Sequence, residues 1–137
     1  MNLEKREHFL AKTRIGILTT LRRNGSPISV PVWFEWDDET VRIFTGQGST
    51  KVKRLQYDPR MTLLVTNEMD EPEAWVAFDG RATIENEGGF ALAERLAHRY
   101  WDMSNPDHQA TVEGWRAKAD TLCVITLRPE RIRTYDE

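Results

Sequence analysis

The stretch 44-FTGQGSTKVKRL-55 joins an apparent strand to an apparent helix. Upstream, Val41, Ile43 and Thr45 alternate with Arg42 and Phe44, the two-residue period of a strand over Thr40 to Thr45. Downstream, Ser49 is placed as an N-cap, and Ser49 to Leu55 reads as one short helix. The helix stops before Asp58-Pro59 because proline disfavours a helical predecessor. Between them, Gly46 and Gly48 carry no Cβ to keep a ligand at a distance. Hydroxyls at Thr45, Ser49 and Thr50 can donate to phosphate oxygens, and Lys51 and Lys53 supply positive charge at a helix start that already attracts anions. Two readings follow from this chemistry: a capped helix with two solvated lysines, or a phosphate grip. Glycine, serine and lysine are common at such turns, so residue chemistry alone favours the first.

At 137 residues the chain is long enough to bury roughly two thirds of its unfolded surface. We expect a single domain over 1–137. The hydrophobic fraction of 39% and charged fraction of 30% are those of a soluble globular protein. A net charge of -3 gives no electrostatic footprint for nucleic acid. The one cysteine, Cys123, cannot form an internal disulfide, which fits a reducing cytoplasm. The opening MNLEKREHFL lacks the apolar core of a signal peptide, and no apolar run approaches the roughly 20 residues of a membrane helix, so no membrane partner is expected.

Working outward from the turn, Arg14 to Leu21 and Ser26 to Trp36 flank Asn24-Gly25, the strongest short-range hairpin signal. With Thr40 to Thr45 they predict a three-stranded meander. Pro31 marks an edge position or an irregularity, because proline cannot donate to the ladder; Trp33, if exposed beside such an edge strand, would suit a partner subunit. A strand at RMTLLVTN and a long one at AWVAFDGRATIEN follow, with Gly80 marking a bulge or sharp bend. The last strand runs from Thr121 to Leu127 and continues past Pro129. Helices are predicted near the N-terminus, capped by Asn2 with Leu3 and Leu10 facing inward, and at GGFALAERLAHRYWD. A short one follows around Val112 to Ala117. Six strands with short connections and a few flanking helices predict a mainly β fold, a six-stranded antiparallel barrel.

The three histidines show no ligand spacing, and Asp37-Asp38-Glu39 reads as a solvated hairpin tip, so no metal site is expected. No nucleophile elbow, zinc-protease motif or Walker-type loop is present. No residue declares itself as a catalytic acid or base. Five tryptophans, at 33, 36, 75, 101 and 115, are many for this length. They read first as core or interface anchors, and second, for Trp33 and Trp75, as walls for a planar ligand.

In order along the chain, the hairpin, VPVWF, FTGQGSTKVKRLQYDPR, DGRA and the terminal LRPERI resemble the pyridoxamine 5'-phosphate oxidase-like split β-barrel family over residues 8 to 136. The resemblance implies a homodimer with two flavin-type cofactors at the subunit interface. It implies that Ser49, Thr50 and Lys51 hold the cofactor phosphate, with Thr45 and Lys53 beside them. It further implies that Val30, Pro31, Val32 and Trp33 run along the isoalloxazine. Thr50 replaces an arginine of the oxidase itself, exchanging a charged fork for a hydroxyl. The oxidase's C-terminal substrate motif is absent. The chain is similar to the branch whose members use FMN or the deazaflavin coenzyme F-420. Arg54, where many deazaflavin users carry asparagine, tilts the expectation toward FMN. The implied activity is an FMN-dependent oxidoreductase transferring hydride to or from a small-molecule substrate. The alternatives are an F-420-dependent reductase or a non-catalytic flavin-binding protein.

Overall fold

The computed structural model describes residues 1–137. Strand β1 (Gly16–Leu21) buries Gly16, Leu18 and Thr20 and leaves the alternate residues half-covered, as its period requires. It pairs with β2 (Pro27–Val32) in the expected hairpin, where Gly25 takes φ 86 and the Asn24 side chain accepts the Ser26 amide. Strand β2 lies at a sheet edge, with Pro31 opposite Ile17.

The expected meander does not form. The second run breaks at Trp33-Phe34, and its remainder, β3 (Glu35–Asp37), makes a separate hairpin with β4 (Thr40–Gly46) through Asp38 and Glu39, both at φ 52. The reason lies far away in sequence. Phe34, 4% exposed, sinks into the core, and its amide donates to the Tyr100 hydroxyl (3.3 Å). Strand β4 then pairs with β7 (Leu122–Leu127).

A second break lies at residues 128–130. It separates β7 from β8 (Arg131–Asp136), so there are eight strands where six are predicted. Strand β6 (Ala74–Glu85) explains why. Its first half, from Ala74 to Asp79, pairs with β8, and Ala82 to Glu85 pair with β7. Gly80 stands at the change of partner. A Cβ there would lie 2.9 Å from Leu127 Cδ1 and 3.2 Å from the Glu130 amide. The path β2-β1-β5-β6-β7-β4-β3, with β5 (Arg60–Thr66) against β1 and β8 beside β6, ends at two free edges. The barrel is split, not closed.

Between the two halves, Leu18, Leu63, Val65, Val76, Phe78 and Ile125 form a core with essentially no exposure. Four helices close the ends. Helix α1 (Leu3–Ala11) is capped by Asn2; it buries Phe9 and Leu10, while Leu3, expected inside, is 62% exposed. Helix α2 (Thr50–Tyr57) turns Val52 and Leu55 inward. Helix α3 (Gly89–Tyr100) lays Leu92, Ala93, Leu96 and Ala97 inward and seats its first turn on β7. That is why all six residues of β7 are buried, on both faces. Helix α4 (Pro106–Ala117) starts well before Val112, because Asn105 caps it and Pro106 occupies its first position. No helix is long and apolar enough to cross a membrane.

Candidate functional site

The turn after β4 folds as its residues dictate. Ser49 is extended (φ -66, ψ 157), and its hydroxyl accepts the Val52 amide at 3.3 Å. The first turn of α2 holds no acidic residue, leaving the positive end of the helix unneutralised. Gly46 and Gly48 border open space, so no neighbour hinders an approach to this backbone. Thr50 is exposed. Lys51 is half-buried and makes no ion pair within the chain.

Lys51 faces a hollow of about 300 Å³ whose near wall is the end of β2, Pro31 and Val32, followed by Trp33. The structure therefore brings together four predicted residues from two segments. Four others complete the lining: Ile43 and Phe44 from β4, Trp101 just past α3, and Trp115 on α4. Sequence reasoning missed these four. For the last two the available signal was the excess of tryptophan itself, since nothing local places α4 over β4.

The remaining predicted residues lie around this hollow or away from it. Val30 packs against the core, and Thr45 sits in β4 opposite Cys123. Lys53 is exposed and lines a second hollow, of about 490 Å³, with Arg23, Arg54 and Tyr57. Trp75 stacks on Tyr135 (6.4 Å) with Arg133 over its ring, outside the Trp33 hollow. Trp33, expected to stand exposed at the edge, is half-buried in an aromatic cluster. Its indole lies parallel to Tyr100 (5.0 Å, 5°) and edge-on to Trp101 (4.7 Å, 89°). Trp115 closes on Phe44 at 5.2 Å.

Tyr100 fixes this arrangement. Its hydroxyl donates to the Arg14 carbonyl (2.5 Å) and receives the Phe34 amide, so the ring that backs Trp33 is itself clamped. Burial pushes its phenol above the ordinary range, keeping the donor protonated. Arg14 is held in turn by paired bonds to Glu71 (2.6 and 2.9 Å). Those bonds, with the Glu68 amide, lower the Glu71 carboxyl to about 2. None of these charges enters the hollow, whose one charged lining residue is Lys51. The site can thus hold a flat apolar body with an anion at one end.

The architecture is a mainly β antiparallel split barrel with flanking helices, and its aromatic hollow lies beside a capped helix start. This chain belongs to the pyridoxamine 5'-phosphate oxidase family, whose sequence pattern matches residues 3–136. An F420H(2)-dependent biliverdin reductase of Mycobacterium tuberculosis (strain CDC 1551 / Oshkosh) is 33% identical over 81 residues, covering 58% of this chain and 56% of that protein. The matched segment therefore spans little more than half of that relative. Among solved structures, the conserved hypothetical protein Rv2991 from Mycobacterium tuberculosis is similar with a TM-score of 0.79 at 21% identity, covering 99% of this chain and 85% of that one. An F420 reductase is similar with a TM-score of 0.75 at 23% identity, covering 93% and 94% respectively. These last two likenesses speak for the fold.

Proposed function

We propose that the protein is an oxidoreductase that holds a flavin-type cofactor between the start of α2 and the end of β2. The observation that carries this reading is the shared hollow. Lys51, uncommitted to any acid, faces the same space as Pro31, Val32 and Trp33. Ser49, Thr50 and Lys51 receive the phosphate through hydroxyls, first-turn amides and charge. Thr45 lies at the entry to that turn, and Val30 supports the strand from the core side. When bound, such a cofactor supplies two-electron hydride chemistry. The chain's own part is to orient the ring, shield one face with apolar side chains and hold the anionic end. Lys51, the one titratable side chain lining the hollow, is assigned in this reading to the cofactor's anion, so the proton comes from solvent or from the small-molecule substrate.

Of the two cofactors, the deazaflavin coenzyme F-420 is the better supported. The similar protein of Mycobacterium tuberculosis is named for dependence on it. The exposed cations Arg23 and Lys53, beside Arg54, extend the basic surface beyond the phosphate turn, suited to a cofactor with a longer anionic tail. FMN is the second reading, favoured by Arg54 standing where many deazaflavin users carry asparagine.

The functional unit of this proposal is a homodimer working in the cytoplasm, where Cys123 remains a thiol. The outer face of the β1–β5–β8 side supports it, with Ile15, Leu64 and Tyr135 each at least 37% exposed. Titrating the purified protein separately with FMN and F-420, followed by tryptophan fluorescence, tests the reading. Binding of F-420 is expected. Uptake of FMN alone selects the second cofactor, and uptake of neither overturns the proposal.

A further inference from the structure

Within 46-GQGST-50 the Ser49 amide donates to the Gly46 carbonyl (3.0 Å) and the Ser49 hydroxyl caps α2, so the conformation of this turn is set locally. Its seat on the sheet is not. Just past the last ladder pair, Gly46 opposite Leu122, Gln47 directs three donors at the chain that leads into β7. Its backbone amide donates to the Thr121 carbonyl (2.8 Å), and its side-chain Nε2 donates to the carbonyls of Asp120 (2.9 Å) and Leu122 (3.0 Å). One residue thus serves three consecutive carbonyls. Because both side-chain partners are acceptors, only the NH2 end of the amide fits them, and it uses both of its hydrogens. The receiving segment is held in turn: the Thr121 amide and hydroxyl both donate to the Lys118 carbonyl (2.9 and 2.7 Å).

Burial does not demand these bonds. Gln47, Asp120 and Thr121 are all exposed, and water serves such groups nearly as well. What the bonds supply is order. Gly46 and Gly48 flank Gln47 with open space around both, and glycine has more backbone freedom to lose than any other residue. Unclasped, this segment would swing about the end of β4, and a ligand would have to order it on binding. We infer that Gln47 is a positioning residue for the phosphate turn. It does not line the hollow; it acts through the turn, holding the amides and hydroxyls of Ser49 and Thr50, with Lys51, at one place against the sheet. Glutamine suits the task by length and by charge. Glutamate would set a carboxylate against the same carbonyls, and asparagine is one methylene short of them. The phosphate it serves is that of the proposed function, on which the inference rests, while the clasp itself stands on the hydrogen bonds.

The test compares the full-length wild type with Gln47→Met, which keeps the reach of the side chain and removes its donors. Each cofactor is titrated beside its phosphate-free counterpart, riboflavin for FMN and the matching deazariboflavin for F-420. Affinity for the cofactor that binds should fall roughly tenfold in Gln47→Met, while affinity for its phosphate-free form stays the same. Order parameters of the Gly46 and Gly48 amides, from NMR relaxation, should drop from about 0.85 to below about 0.6. The tryptophan near-UV signal should not change. Far-UV circular dichroism checks the fold, and Gln47→Ala repeats the comparison if Gln47→Met does not fold. An equal loss with and without the phosphate overturns the inference, because Gln47 is then a structural tie for the whole site. Unchanged cofactor affinity overturns it too, as do glycine amides already mobile in the wild type. If the wild type binds neither cofactor, inorganic phosphate, followed by the Thr50 and Lys51 amide shifts, decides. Phosphate binding that Gln47→Met weakens leaves the clasp standing and fells the proposed function alone; no phosphate binding fells both.

Discussion

The β4–α2 turn and the α3–α4 corner face each other across one hollow, yet they are built by opposite means. The turn is local: strand, glycines, cap and lysine follow one another within a dozen residues, and each conformation is set by its neighbours in sequence. The corner is assembled from a distance. Trp33, Tyr100, Trp101 and Trp115 meet because Gly89 lets α3 lie on β7 and because Tyr100 ties the end of α3 to Arg14 and Phe34. A local device survives small shifts of the scaffold, whereas an assembled one depends on every seat beneath it. The two sides of the hollow should therefore fail independently.

The largest expected effect lies at the seat of the corner. A Cβ on Gly89 would approach the Cys123 amide nitrogen and the Leu122 backbone within 2.8 to 2.9 Å, and these are backbone atoms that cannot turn aside. Gly89→Ala should cost about 2–3 kcal/mol, measured by chemical denaturation, and should disturb the near-UV signal of the tryptophans. An unchanged stability would show that α3 slides on β7 and that the corner is looser than described. On the opposite side, Lys51→Ala should leave stability and the tryptophan signal as they are. It should weaken cofactor binding by about 2 kcal/mol, roughly thirtyfold. Unaltered affinity would return the turn to a capped helix with solvated lysines.

The smallest effect is one of pH. Glu71 is held at about 2, mainly by Arg14 and then by the Glu68 amide, against an ordinary value near 4.5. The folded chain therefore keeps this carboxylate ionised where the unfolded chain protonates it. The stabilisation is present above about 4.5 and fades as pH falls through about 2. Because the Arg14 carbonyl holds Tyr100, the tryptophan near-UV signal should decline in this window before the far-UV signal of the sheet. Glu71→Gln should remove that acid sensitivity. Simultaneous loss of both signals would mean that the Arg14 knot does not govern the corner.

Legibility in the sequence follows the same division. Asn24-Gly25, the Ser49 cap, the Asn2 cap and Gly80 as a turning point in its strand were all readable, because each is a demand that a residue places on its own backbone. Lys51 and the end of β2 were readable as one site only through family resemblance, since the hollow joins them across a break in the chain's regular structure. The meander was misread because nothing between Ser26 and Trp36 says that Phe34 will give its amide to a tyrosine 66 positions later. The last run was misread as one strand because the two partners that claim its halves both lie on β6. Trp101 and Trp115 were visible as residues but not as a wall.

By itself, then, the sequence determined the alternation of strands, the caps and turns, the apolar content of the core and the chemistry of the α2 start. These arise from backbone preference and side-chain hydrophobicity within a few residues, and they hold wherever the segment lies. The tertiary structure alone decided which strands pair, where the barrel splits and which aromatic rings share a surface with Lys51. Those depend on contacts between residues far apart in the chain, whose closure is fixed only when the whole core packs at once.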